Sequence, residues 1–206
     1  MDRRWRPLLL GLAVTLGLAV LAPRPVRADG TFYLVELQTG MSEAAYDRGD
    51  LGLSFGVTAG VTFKLKVLPV RWYLLGNLTS RSSFVEGSAG TAGFSAERRD
   101  LDLYAAQRFV LPVYRQIRVF AEGGIGQRYV QEYVTRSDLG TQRRGAHQLL
   151  VVLAGGVQAR VNETFSLGLR GELMPLASDA VLTQTLTGLS PTTNRMSVMA
   201  QVGVHF

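Results

Sequence analysis

The most constraining feature of this sequence is a long, strict alternation between apolar side chains and small or polar ones. From Leu51 to Val67, all nine odd-numbered positions are apolar, and the eight even-numbered positions hold only glycine, serine, threonine or lysine. Successive side chains of a β-strand point to opposite faces, so this period of two predicts a strand with one apolar and one polar face. A helix would mix the two sets around its circumference.

The same alternation recurs along the chain and predicts an all-β protein. It is weaker in the third and fourth segments, where fewer positions alternate. The eight predicted strands are Thr31–Met41, Leu51–Val67, Trp72–Arg81, Asp100–Val110, Ile117–Tyr133, His147–Val161, Phe165–Leu173 and Met196–Phe206.

The polar faces of these strands carry charges that repeat at matching depths. Such faces suit an interior of paired charges, with the apolar faces turned towards lipid. A bilayer cannot satisfy an open sheet edge, so a spanning sheet must close into a barrel. The charged residues with inward parity are Lys64, Lys66, Asp102, Arg108, Arg118, Glu122, Arg128, Glu132, Arg160, Arg170 and Glu172.

Two functions remain open for these charges. They could line a gated or ion-selective pore, or they could fill a closed lumen as a plug of salt bridges. An eight-stranded barrel encloses only enough room for its own side chains, and buried charges are costly unless paired. The plug is therefore the preferred interpretation, and conductance in a planar bilayer would contradict it.

The connections between the strands predict the topology. They alternate in length, as expected for an up-and-down transmembrane barrel with short periplasmic turns and long outer loops. Both termini then lie on the periplasmic side. The short connections are Leu68–Arg71, Leu111–Gln116 and Asn162–Thr164, and the long ones are Ser42–Asp50, Ser82–Arg99, Thr135–Ala146 and Ala177–Asn194.

The N-terminal segment is predicted to be a cleavable signal peptide that spans residues 1–28. Three arginines precede an apolar run from Leu8 to Ala22, and Val26 and Ala28 suit a cleavage site before Asp29. The run is about 15 residues, short for a membrane-spanning helix. Residues 29–206 are then the barrel domain. The leader holds five Arg and one Asp, so the net charge of +6 falls to +2. We therefore expect no nucleic-acid partner.

The C-terminal strand carries the most specific resemblance. It alternates through Val202 and Val204 and ends in Phe206, which resembles the signal read by the barrel-assembly machinery. Residues 31–206 resemble the small eight-stranded outer-membrane β-barrels of Gram-negative bacteria, the OmpA transmembrane domain, OmpX and OmpW type. The resemblance implies an outer-membrane location and contact with periplasmic chaperones and the assembly machinery. We expect a monomer.

Catalytic and metal sites are not expected. The sequence has no Cys and only two His, which excludes disulfides and cysteine nucleophiles and leaves no metal-ligand cluster. Barrels of this architecture include lipid A-modifying enzymes, which need a His-activated hydroxyl. His147 lies near the outer rim but lacks a neighbouring Ser in the expected pattern, and His205 is expected only to satisfy a hydrogen bond. Asp100 and Asp102 are expected to form ion pairs with Arg98 and Arg99 rather than to bind Ca²⁺. No cofactor is expected.

The outer loops are the remaining candidate functional surface. Arg136, Arg143 and Arg144 are predicted to pair with lipopolysaccharide phosphates. The segment Ala177–Asn194 is more apolar than a solvated loop requires and could fold over the barrel mouth. The sequence thus favours an integral outer-membrane barrel with a structural, adhesive or lipid-organising role. Its alternatives are a small-solute channel or hydrophobic-compound transporter, a lipid A-modifying enzyme, and a soluble lipocalin-like barrel with its apolar face inward.

Overall fold

In the computed structural model the chain forms a closed, antiparallel, up-and-down barrel of eight strands in sequence order. The structure describes residues 32–43, 45, 51–64, 70–175, 181–190, 192 and 194–206. A short helix α1, Val181–Thr187, lies between the last two strands. The strands are β1 Phe32–Ser42, β2 Gly52–Lys64, β3 Arg71–Ala89, β4 Ala92–Tyr114, β5 Ile117–Arg136, β6 Gly140–Arg160, β7 Phe165–Met174 and β8 Arg195–His205.

The alternation decides which way each side chain points. In β4, Asp102, Tyr104 and Arg108 are buried in the lumen, and Leu101 and Leu103 are exposed on the outside. The same alternation holds in the other strands, so the exterior carries an apolar band and the lumen carries the charges. The predicted fold, a transmembrane β-barrel with a polar interior, is confirmed. This arrangement excludes the lipocalin-like alternative, whose apolar face would point inward.

The register closes the barrel through the two terminal strands. Leu34 of β1 stands opposite His205 of β8, and the pairing continues to Ser42 opposite Ser197. The backbone of Phe206 exchanges two hydrogen bonds with Tyr33, at 3.0 and 3.1 Å. The alternating residues Val202, Val204 and Phe206 lie on the outward face of this seam. Their predicted role in assembly remains a prediction.

Two of the long loops are shorter than the sequence suggested. The segment Ser82–Arg99 is a continuous extension of β3 and β4 joined at Gly90 and Thr91, and Thr135–Ala146 is a hairpin with a turn only at 137–139. Leu111–Gln116 likewise shrinks to Arg115 and Gln116. Outside the bilayer both faces of a hairpin meet polar surroundings, so the hydrophobic alternation fades although the ladder of backbone hydrogen bonds continues.

These extensions make the barrel taller on one side. Strands β3 to β6 have 19 to 23 residues each, whereas β1, β2, β7 and β8 have 10 to 13. We call the end with the long hairpins and α1 the outer end, and the end with the short turns and Phe206 the inner end. A four-stranded sheet therefore projects from the outer end.

Three sequence predictions fall wholly or mainly outside the described residues. The signal peptide at 1–28 and Lys66 are outside them, as is most of Ser42–Asp50. No helix in the described parts of the chain is long and apolar enough to cross a membrane.

Candidate functional site: the charged lumen and the outer surface

The lumen holds a charge-balanced network of buried arginines and carboxylates. Among the described residues, six arginines and six acidic residues are buried on the inward face, and each of these arginines is 1% exposed or less. The arginines are Arg81, Arg98, Arg108, Arg128, Arg170 and Arg195, and the acidic residues are Glu36, Asp100, Asp102, Glu122, Glu132 and Glu172. The buried network is therefore neutral overall, which limits the cost of taking so many charges out of water.

The inner layer of this network is centred on Glu122. Arg108 donates from Nε to Glu122 Oε2 at 2.7 Å, and its Nη2 lies 2.7 Å from Glu36 Oε2. Arg170 donates to both oxygens of Glu122, at 2.6 and 2.7 Å, and from Nε to Glu172 Oε1 at 2.8 Å. Charge-assisted hydrogen bonds with this fork geometry fix the position of both partners.

The outer layer is centred on Asp102. Arg128 donates from Nε to Asp102 Oδ1 at 2.6 Å, and Arg81 bridges Asp102 and Glu172. The two layers are thus joined through Glu172.

A third group lies nearer the outer end. Arg98 donates from Nε to Asp100 Oδ1 at 2.8 Å, and Arg195 also pairs with Asp100. The expected ion pair of Asp100 is therefore present with Arg98. Arg99, by contrast, lies on the outward face and pairs with Glu97, with 2.6 Å between Nε and Oε1.

Glycine makes room for this packing at Gly156. The Arg108 guanidinium stacks on the Phe120 ring, 4.6 Å from its centroid. A Cβ on Gly156 would clash with the Leu169 carbonyl oxygen and lie 2.6 Å from that ring, whereas a Cβ on the outward-facing Gly155 would meet only the Phe120 carbonyl at 3.4 Å. The narrow lumen therefore requires the absence of a side chain at Gly156.

Within the segment Ala177–Asn194, the described residues 181–190 fold over the outer end through α1. Thr183 is buried and donates to Glu132 at 3.3 Å, which ties the helix to the network. Leu186 and Leu189 pack against a small apolar cluster that includes Val85, Phe94 and Val134. Leu186 and Leu189 thus cover part of the barrel mouth.

Sequence reasoning placed most of the network but missed five members. Of the predicted inward charges, Asp102, Arg108, Glu122, Arg128, Glu132, Arg170 and Glu172 lie in the buried network, while Arg118 and Arg160 are half-buried at the inner end. The side chain of Lys64 is outside the described set. The missed members are Glu36, Arg81, Arg98, Asp100 and Arg195. Arg98 would have been found by continuing the inward parity of the fourth strand into Ser82–Arg99, which was predicted to be a loop.

The three arginines predicted to contact lipopolysaccharide have different surroundings. Arg136 donates to the Leu186 carbonyl at 2.7 Å and to both oxygens of Asp138, so it holds α1 and the hairpin turn. This hydrogen bond from Arg136 lowers the pKa of Asp138. Arg143 is exposed on the outward face of β6, and Arg144 is exposed on the opposite face of the same strand.

Arg143 belongs to a cationic and aromatic patch on the projecting sheet. Glu97, Tyr133 and Arg143 form one cross-strand row through β4, β5 and β6. The guanidinium groups of Arg99 and Arg143 lie 5.7 and 5.5 Å from the centroid of the Tyr133 ring. We call Arg99, Tyr133 and Arg143 the outer patch. Arg99 of this patch is two residues from Leu101, where the apolar band begins, on the same face of β4 and nearer the outer end.

Neither histidine forms a catalytic triad with the described residues. His147 is on the outward face and its ring contacts Tyr129, with 4.8 Å between centroids. His205 is buried and its Nε2 lies 2.9 Å from Ser166 Oγ, which also accepts from Gln158 at 2.7 Å. The described residues contain no group of three or more acidic or histidine side chains placed to hold a metal ion.

Comparison with known proteins identifies the fold and leaves the family open. No family model and no curated protein matches the chain. Among solved structures, the attachment invasion locus protein Ail of Yersinia pestis, in complex with the heparin analogue sucrose octasulfate, is 12% identical with a TM-score of 0.52, and the match covers 87% of this chain and 100% of Ail. Neisserial surface protein A is 12% identical with a TM-score of 0.50, covering 88% and 100%.

The same fold also carries enzymes. The outer membrane protease OmpT of Escherichia coli is 8% identical with a TM-score of 0.51, over 89% of this chain and 99% of the protease. Similarity at this level therefore does not decide between a binding protein and an enzyme. The fold of this chain is that of the small outer-membrane β-barrels.

Proposed function

We propose that the protein is an integral outer-membrane barrel that acts through its outer surface, with a plugged lumen and a lipid-organising or adhesive role. The observation that carries this proposal is the neutral network of six arginines and six carboxylates across the lumen. Passage of a solute would require breaking several buried ion pairs, each expensive to separate. The apolar exterior and the resemblance to outer-membrane barrels support that location, with the inner end in the periplasm.

A planar-bilayer recording tests the plugged lumen. Purified, refolded protein should insert without producing large, stable, ohmic conductance. Such conductance would favour the channel alternative. A variant that opens the network, Arg170→Ala, should raise the frequency of brief openings if the network is the barrier. Folding of each preparation is checked by heat-modifiable gel migration.

The outer patch supports contact with lipopolysaccharide. Arg99 and Arg143 are held by the Tyr133 ring just above the apolar band, where the phosphates of the outer leaflet lie. The neighbour Ail binds a sulfated saccharide in its solved structure, which also favours an anionic saccharide as the ligand here. Arg136 is not part of this proposal because its guanidinium holds α1 and Asp138.

A matched pair of variants tests this contact. Arg143→Gln and Arg115→Gln each remove one arginine that stacks on a tyrosine at 5.5 Å, but Arg115 lies at the inner end. Lipopolysaccharide association should weaken for Arg143→Gln and for the double variant R99Q/R143Q, and Arg115→Gln should behave as the parent. Equal behaviour of all variants would refute the contact.

An adhesive role is favoured by the edge of the projecting sheet. Strand β6 pairs with β5 from Gly140 onwards but with β7 only from Leu153 to Arg160. Within the described residues, the outer half of β6 therefore has one unpaired edge. Such an edge can accept an extended peptide as an added strand.

Proline substitutions test this edge. Of the consecutive residues Thr141 and Gln142, one directs its N–H to β5 and the other to the free edge. Proline at the edge-directed position should remove binding to protein-coated surfaces while the barrel still folds, since only the free donor is lost. Unchanged binding for both single variants would contradict an edge-mediated role.

A further inference from the structure

The inner end of the lumen differs in charge from the neutral network above it. The described residues at this end, 70–71, 114–118 and 160–165, include four arginines and a single acidic residue, Glu163. Three of the basic residues have inward parity and half-buried side chains: Arg71, Arg118 and Arg160. The inner mouth of the lumen therefore carries an excess of positive charge.

The register brings these three arginines to the same mouth. Arg118 of β5 stands opposite Gln158 of β6, so Arg160 is its diagonal neighbour on the inward face. Side chains in a diagonal position two residues apart lie within reach of each other when they are long. Arg71 of β3 faces the same space, and the guanidinium groups of all three repel one another.

The described residues provide no carboxylate that pairs with Arg118 or Arg160. The ion pairs of the lumen involve the arginines of the buried network, and none reaches these two side chains. Arg118 Nη1 and Arg160 Nε are shielded from solvent and have no hydrogen-bond partner in the described structure. Glu163 lies in an exposed turn, and its negative charge attracts Arg160, but the two side chains form no ion pair.

Half-buried guanidinium groups that lie close together and have shielded N–H donors without partners, as in Arg118 and Arg160, are the elements of an oxyanion site. We propose that Arg118 and Arg160, with Arg71, bind a phosphate-type oxyanion at the inner mouth of the lumen. Guanidinium groups present paired N–H donors that match the oxygens of phosphate, and the bound anion removes the repulsion between them. Ser166 stands opposite Arg160 in the strand ladder and is hydrogen-bonded to His205.

The same chemistry fits two sources of phosphate. One is free phosphate in solution, and the other is the headgroup of a phospholipid in the adjacent leaflet. Both would place phosphate oxygens against the same guanidinium groups.

Thermal unfolding with inorganic phosphate as the probe tests the site. A ligand that binds only the folded state stabilises it by RT ln(1 + [L]/Kd), so the unfolding midpoint follows a curve that flattens to a logarithmic rise above Kd. Refolded protein in zwitterionic detergent is titrated with millimolar phosphate, with chloride holding the ionic strength constant. We expect this curved response in the parent, and an apparent Kd weakened at least about tenfold in R118Q/R160Q.

The control is Arg115→Gln, which removes an exposed arginine at the inner end that is not part of the site. Phosphate also stabilises proteins without binding a site, and that effect, which is linear in phosphate concentration, should be equal in both variants. The control should retain the curved response of the parent. In chloride alone, R118Q/R160Q should be at least as stable as the parent because the repulsion is gone.

Three results would overturn the site: no curved response in the parent, an equal response in R118Q/R160Q, or a response lost equally in the control. If the glutamine variant fails to fold, R118K/R160K keeps the charge but loses the fork geometry. That variant should bind phosphate more weakly than the parent, and undiminished binding would contradict the site.

A lipid arm then identifies the source. Adding an anionic phospholipid, phosphatidylglycerol, to the micelles should abolish the phosphate response if a headgroup occupies the site. A response that persists in the lipid supports the site as one for free phosphate. Either result requires the site to exist, so this experiment is interpreted only after the parent has been distinguished from R118Q/R160Q.

Discussion

Replacing Arg170 by methionine should destabilise the barrel strongly. Arg170 is completely buried and donates four hydrogen bonds, of which two go to Glu122, one to Glu172 and one to the Tyr104 hydroxyl. Its removal leaves the network one positive charge short. Breaking a buried ion pair by removing one partner costs about 3–5 kcal/mol, because the remaining charge stays buried and uncompensated.

The structure also identifies a second change that should restore much of this loss. In R170M/E122M the network is neutral again, and each charge that lost a partner keeps another: Arg108 keeps Glu36, and Glu172 keeps Arg81. Replacing a buried ion pair by apolar side chains of similar volume is often close to neutral. The double variant should therefore lie within about 2 kcal/mol of the parent, and be more stable than R170M.

Urea unfolding in phospholipid vesicles measures these differences. Once residues 1–28 are removed, Trp72 is the single tryptophan and reports unfolding by fluorescence. Reversibility is established from matching unfolding and refolding curves before free energies are compared. The reasoning fails if R170M loses less than about 1 kcal/mol, or if R170M/E122M is less stable than R170M.

Three further predictions test packing, the outer helix and assembly. Gly156→Ala should reduce the refolding yield sharply because its Cβ meets the Phe120 ring, whereas Gly155→Ala should refold as the parent, and equal yields would contradict the packing argument. Arg136→Gln should expose α1 to limited proteolysis, and NMR titration should show the Asp138 pKa rising towards its ordinary value; protection of α1 together with an unchanged pKa would refute this role. The hydrogen bond from Arg136 depresses the Asp138 pKa in the folded state, so its stabilising effect is present above the ordinary Asp pKa and is lost as the pH falls through the depressed value. Phe206→Ala should slow assembly in cells while the purified protein still refolds, and an unchanged assembly rate would remove Phe206 from the assembly signal.

The sequence allowed the barrel itself to be predicted because a bilayer enforces alternation. Leu101, Asp102 and Leu103 show the rule in three consecutive residues, with the leucines towards lipid and the aspartate in the lumen. The rule fails above the bilayer, where Arg98 is buried in the lumen and Arg99 is exposed on the outside, so both positions are polar. Hydrophobicity alone therefore began the fourth strand too late in the sequence, at Asp100 rather than at Ala92.

Partner choice within the lumen could not be predicted from the sequence. Alternation indicates that Arg81 and Glu172 point inward, but their pairing depends on the tilt and stagger of strands that are distant in sequence. The pair between Asp100 and Arg98 could be predicted because the two residues are only two positions apart in one strand. The phosphate site likewise depends on register, since only the pairing of β5 with β6 places Arg160 beside Arg118.

The long sequence separations within the charge network have a consequence for insertion into the membrane. Asp100 and Arg195 are 95 residues apart, Arg81 and Glu172 are 91 apart, and Glu36 and Arg108 are 72 apart. These partners meet only when the first, middle and last strands are together in one ring. A partly inserted sheet would hold bare arginines and carboxylates against hydrocarbon, at a cost of several kcal/mol for each ion. The network therefore makes closure of the ring and entry into the bilayer a single cooperative event.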